Sequence, residues 1–276
     1  MPAQADVSNH YTHGSLIEAI RAGLAAIGKA ADGVTVDDLA PVDEFHIGGR
    51  RASEEFLGQL GLSPQMHVLD VGCGLGGAAR FVASRYGSRV TGIDLTPEYV
   101  DTGNILCKWV GLDQRISLQQ GSALAMPLAD GSFDAAYMLH VGMNIEDKEK
   151  LAVELARVLH PGSLFGIYDV MRTGAGDLAY PVPWATTPDL SAVAEPERYK
   201  KALRDAGFTV IAERNRRDFA LAFFAELRSR TAAAGGPPPL GLHVLMGKST
   251  PEKVQNMIDN ISKGRIAPVE LIARKP

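Results

Sequence analysis

Residues 67–77 read His-Val-Leu-Asp-Val-Gly-Cys-Gly-Leu-Gly-Gly, a stretch that few folds accommodate. Met66, Val68, Leu69 and Val71 form the short apolar run of a strand buried on both faces. Gly72, Gly74, Gly76 and Gly77 follow at once, and 78–86 then has helical character. Strand, glycine turn and helix open a doubly wound α/β sheet, with backbone brought close to a ligand at the turn. Gly72, Gly74 and Gly77 also match G-x-G-x-x-G, by itself a weak signal for a dinucleotide. Asp70, two residues before the first glycine, would repel a pyrophosphate and suits a cationic ammonium group. Asp94, near the end of the next expected strand (89–95), stands where an acidic residue takes ribose hydroxyls.

Val68 to Gly77, followed by Val90-Thr91-Gly92-Ile93-Asp94-Leu95, resembles the S-adenosylmethionine (SAM) site of class I methyltransferases. The resemblance implies SAM as cofactor, its α-ammonium on Asp70 and its ribose on Asp94, with Gly72, Gly74, Leu95 and Thr96 around it. It also implies a seven-stranded, mainly parallel sheet whose last strand runs antiparallel. Periodicity alone shows only an α/β chain. After the third expected strand the family usually has an acidic residue that accepts the adenine amino group. Here Gly121-Ser122-Ala123 stands instead, with the Ser122 hydroxyl and the Ala123 N–H as the expected contacts.

The other strands expected in this sheet are 116–122, 133–141, 163–170, 208–214 and 265–273. Residues 1–63 do not extend the strand pattern and are read as a helical lid, leaving 64–276 as the cofactor-binding domain. Within that domain 173–197 is rich in proline, with Tyr180 and Trp184 beside the prolines, and reads as a cap loop. A second cap insertion is expected near 217–264.

Composition narrows the function. The chain has 276 residues and a formal net charge of −4, which gives no reason to expect nucleic acid or an anionic membrane as partner. No apolar stretch reaches transmembrane length, and the amino-terminal residues lack the basic and apolar regions of a signal peptide. Two cysteines without CxxC spacing suggest reduced thiols and a cytoplasmic location. The histidines lack metal-binding spacing, so no metal is expected, and no G-x-S-x-G points to a serine hydrolase. The sequence does not specify an oligomeric state.

Methyl transfer to a neutral amine needs alignment above all, whereas a hydroxyl acceptor must also lose a proton. His140, at the carboxyl end of the fourth strand, is the candidate base, and equally a wall of the cofactor pocket. Asn144, four residues on, can orient cofactor or substrate. Asp43-Glu44-Phe45-His46-Ile47-Gly48-Gly49-Arg50 resembles the His-x-Gly segment of sarcosine and dimethylglycine N-methyltransferases, with a looser version in quinone and tocopherol relatives. That likeness implies that Tyr11, a second catalytic candidate, and His46 fold over the methionine end of SAM. Trp184 and its aromatic neighbours suit a methylated ammonium, Arg172 a substrate carboxylate, and His243 lies within reach of the pocket from the second cap. The expected activity is methylation of a small molecule, first an amine or amino acid nitrogen. The alternatives are a phenolic, quinone or natural-product oxygen or carbon, or SAM binding without methyl transfer in a cyclase or regulator.

Overall fold

A strand apolar on both faces needs a parallel neighbour on each side, and β1 (His67–Val71) has them. It pairs in parallel with β2 (Arg89–Asp94) and β4 (Phe133–Leu139), so that Asp70 stands between Gly92 and Tyr137. The computed structural model describes residues 4–12 and 14–276. The remaining strands are β3 (Ile116–Gln120), β5 (Leu159–Arg172), β6 (Thr209–Asn215) and β7 (Ile266–Arg274). They form one seven-stranded sheet in the order β3-β2-β1-β4-β5-β7-β6, with β7 antiparallel to both neighbours. The seven strands and the antiparallel seventh match the sequence expectation; β5 alone is longer, starting at Leu159 beside Phe133.

Helices α5 (Gly77–Tyr86), α6 (Pro97–Trp109), α7 (Lys148–Val158) and α8 (Pro196–Asp205) flank the sheet. Strand order reverses between β1 and β4, and open α/β sheets bind ligands in the crevice at that point.

The remaining helices are α1 (Gln4–Tyr11), α2 (Leu16–Ala26), α3 (Val36–Asp43) and α4 (Gly49–Leu57) before the sheet. After β6 come α9 (Arg217–Ala233), α10 (His243–Met246) and α11 (Thr250–Ser262). The two cap regions are one structure. Leu16, Ile20 and Leu24 of α2 pack with Leu240 and Leu245, because neither segment alone can bury its apolar face. Within the span 1–63, read from the sequence as a lid, the last helix and turn reach the sheet. Phe56 and Leu57 of α4 and Leu60 sit in the sheet core, with Phe56 against Tyr168 of β5.

Candidate functional site

The glycine turn after β1 is a matter of close approach. Gly72 and Gly74 have φ of 70° and 52°, and a Cβ on Gly72 would lie 2.5 Å from the Val141 methyls. The N–H groups of Gly72 and Cys73 donate to the Ile93 carbonyl at 2.8 and 2.9 Å, fastening the turn to β2. Asp94 completes it: Oδ2 accepts the Gly74 N–H and Oδ1 the Thr96 N–H, each at 2.9 Å. Burial nevertheless pushes this carboxyl above its ordinary range.

Above the turn lies a cleft of about 430 Å³, within the range of small-molecule sites. Gly72, Gly74, Asp94, Leu95 and Thr96 form its floor, Ser122 and Ala123 one side, and Tyr11, His140 and Asn144 the other. Asp70 is not part of the wall. It stands behind the turn at 2% exposure, accepting a hydrogen bond from the Tyr137 hydroxyl at 3.1 Å. Burial raises its pKa to about 7. This carboxyl, expected from the sequence to meet an ammonium, is here paired with Tyr137, which stands level with it on β4. Ser122 stands at the side of the cleft. Its oxygen already accepts from Gln4 Nε2 at 2.8 Å and from the Leu124 N–H at 3.1 Å, leaving mainly a hydrogen to donate.

A second cavity, about 90 Å³, lies under the cap and shares Tyr11, Phe45, Tyr99 and His140 with the cleft. Trp184, Phe224 and Met257 give it an apolar lining, and His46 and Lys253 contribute polar ends. The Asn144 amide donates to the Tyr11 hydroxyl at 3.3 Å, holding α1 against the loop after β4, and burial pushes the Tyr11 phenol up.

The two histidines between the cavities differ in kind. His140 has a left-handed backbone (φ 55°), and its N–H donates to the Tyr168 carbonyl at 2.7 Å. Its buried Nε2 has no hydrogen-bond partner among the described residues. Burial, with His46 beside it at 6.0 Å between ring centres, holds its pKa well below 6.5. His46 has a network. Its Nε2 lies 3.2 Å from the Gly49 carbonyl, 3.1 Å from Ser53 Oγ and 3.5 Å from Glu44 Oε2. Ser53 donates to that same carboxylate at 2.6 Å, and Arg50 stands 3.2 Å from its other oxygen. Burial lowers the His46 pKa, with Glu44 opposing the shift.

Besides Asp70, two sequence candidates are absent from both cavities. Arg172 turns away at the end of β5 to donate to the Gly176 carbonyl, and His243 lies outside the cavity that its neighbours Leu242 and Leu245 line. Sequence reasoning missed Tyr99, Met143 and Lys253. Each has the helical or loop spacing of an ordinary packing or surface residue, and no local signal distinguishes it. Among the described residues no cluster of His, Cys, Asp or Glu is suited to a metal ion, and no helix is long and apolar enough to cross a membrane.

Residues 69–167, the span from β1 into β5, match the family model described as a methyltransferase domain. Residues 69–167 thus carry a methyltransferase domain, with S-adenosyl-L-methionine as cofactor. It is 37% identical over 118 residues to a sterol 24-C-methyltransferase of Gibberella zeae, covering 43% of this chain and 31% of that one. An O-methyltransferase of Pyrenophora dematioidea is 29% identical over 212 residues, 76% of this chain and 78% of that one. The chain thus spans about a third of the sterol enzyme's length but most of the second relative's. In fold it is similar to geranyl diphosphate C-methyltransferase from Streptomyces coelicolor A3(2), with a TM-score of 0.73 at 19% identity over 100% of this chain and 99% of that one. The residues of the cleft fit the cofactor: Asp94 retains lone pairs for a pair of hydroxyls, and Gly72 and Gly74 present bare backbone to the cleft.

Proposed function

We propose that this protein transfers a methyl group from SAM to a hydroxyl or phenol oxygen of a small molecule held under the cap. The observation that carries the reading is the setting of His46. A carbonyl oxygen can only accept, so the Gly49 contact assigns the imidazole hydrogen to Nε2 and leaves Nδ1 as the basic nitrogen. Glu44, steadied by Ser53 and Arg50, stabilises the positive charge that appears when Nδ1 takes a proton. Bound SAM supplies an electrophilic methyl carbon on a sulfonium. The chain aligns the acceptor oxygen with that carbon, excludes water with the aromatic cap, and receives the hydroxyl proton on His46. The C–O bond forms as the S–CH₃ bond breaks, giving a methyl ether and S-adenosylhomocysteine.

In this reading His140 is a neutral partner that positions the acceptor rather than the base, since no carboxylate stabilises its protonated form. An amine acceptor, favoured by the sequence, needs no proton removed before attack when it binds as the free base, so the Glu44–His46–Ser53 arrangement suits a hydroxyl better. The likeness to the O-methyltransferase of Pyrenophora dematioidea over most of both chains supports the oxygen acceptor. Formation of S-adenosylhomocysteine is measured across a panel of phenols, alcohols and amines. His46→Gln is expected to lower kcat for the best hydroxyl acceptor about 10²–10⁴-fold with SAM affinity unchanged. Turnover confined to amines, or a variant as fast as the wild type, would overturn the assignment.

A further inference from the structure

The fold treats its two buried lysines in opposite ways. Lys148, 2% exposed, gives its ammonium hydrogens to the carbonyls of Gly142 at 2.9 Å, Ala192 at 3.0 Å and Ile145. Lys253, on the first turn of α11, is 7% exposed and lines the cavity under the cap. No hydrogen bond, ion pair or ring contact holds its ammonium among the described residues. Its surroundings in the cavity are apolar: Trp184, Phe224, Val254 and Met257. The one carboxylate of that wall, Glu44, is engaged by Ser53 and Arg50. Burial, with no charged neighbour contributing, holds the Lys253 amine below its usual range. The Lys253 ammonium is not among the buried side-chain nitrogens that lack a partner, so it keeps access to the cavity, whereas a chain that satisfies Lys148 so fully shows that this fold can provide carbonyls where a lysine serves packing.

We propose that Lys253 is the binding residue for an anionic oxygen of the methyl acceptor, a carboxylate or an ionised phenol, so that the acceptors are small acidic molecules. This rests on the oxygen-acceptor reading above and narrows it. The ammonium in the cavity wall disfavours a cationic amine there, and it offers a charge-assisted contact that an acidic group completes best.

Titration calorimetry on the full chain loaded with S-adenosylhomocysteine tests the assignment, using benzoate, 4-nitrophenolate and neutral benzamide as probes at pH 8. One or both anions should bind about tenfold tighter than benzamide, as a charge-assisted hydrogen bond implies. Tighter benzoate alone identifies a carboxylate, and tighter 4-nitrophenolate alone an ionised phenol. Lys253→Met should abolish the preference, and Lys253→Arg should retain part of it. Equal affinity for all three probes, no binding of any, or a preference that survives in Lys253→Met would overturn the proposal. The comparison of probes on the wild type needs no variant, so a misfolded methionine form does not blunt it. Turnover of neutral hydroxyl acceptors without anion preference would sink the lysine assignment alone. Anion preference without turnover of any hydroxyl would sink the oxygen-transfer reading alone.

Discussion

Replacing Arg80 by methionine tests how the segment carrying Glu44 and His46 is held over the site. Arg80 lies on α5, just beyond the glycine turn, and is fully buried. Its Nε and Nη2 donate to the two oxygens of Asp43 at 3.0 and 2.5 Å, and Nη1 reaches the Gly103 carbonyl at 3.3 Å. Asp43 is the last residue of α3 and directly precedes Glu44. Burial raises the Asp43 pKa and Arg80 opposes the rise, so loss of the guanidinium strands a carboxylate out of water. Breaking such a pair costs about 3–5 kcal/mol, against a total stability of about 5–15 kcal/mol for a typical domain. For a chain of this size the melting temperature should fall by about 6–20 °C. The measurement is urea unfolding followed by circular dichroism at pH 7, repeated on Arg80→Met/Asp43→Leu. That double variant should regain most of the loss, because no unpaired charge remains in it. A loss below about 1 kcal/mol, the scale of an exposed ion pair, would refute the reasoning, as would a double variant weaker than either single one.

Gly72→Ala forces a Cβ to within 2.5 Å of Val141 at a φ of 70°, and should weaken SAM binding by an order of magnitude or more in calorimetry; unchanged affinity would mean the turn yields more readily than its packing implies. Asp70, with its pKa raised from 3.8 to about 7 by burial, retains a proton in the folded state that the unfolded chain has lost. Its stabilisation is therefore complete below about pH 4 and is lost as the pH rises through 7, about 2–3 kcal/mol between pH 5 and 8 in the cofactor-free protein. Asp70→Asn should flatten that part of the stability profile, and identical slopes in variant and wild type would count against it.

Much of the fold was legible because burial on a sheet leaves a local trace. Parallel strands such as 67–71 and 133–139 are mainly apolar, broken by single polar residues such as Asp70 and Asp134, and glycines mark where backbone must come close to backbone. The same local trace located Asp94, whose role follows from its position at the end of β2. The glycine turn likewise placed Gly72 and Gly74 at the cleft, but it could not tell which way Asp70 points. That direction was decided by β4, which sets Tyr137 beside Asp70 and draws the carboxyl into the sheet.

The acceptor side was decided almost wholly by tertiary structure. His46 and Ser53 are seven residues apart and meet because the turn at Gly48–Gly49 folds α4 back beside the preceding loop. Arg172 and His243 had suitable chemistry in suitable segments, yet packing turned both away from the cavities. Lys253 looked like a solvated helix residue and became a wall of the site because α11 packs beneath the Trp184 loop. The sequence by itself determined the sheet, its glycine turn and the methyl donor, since these depend on burial patterns repeated over a few residues. Which side chains face the acceptor depended on contacts between segments tens to hundreds of residues apart, and no local periodicity encodes them.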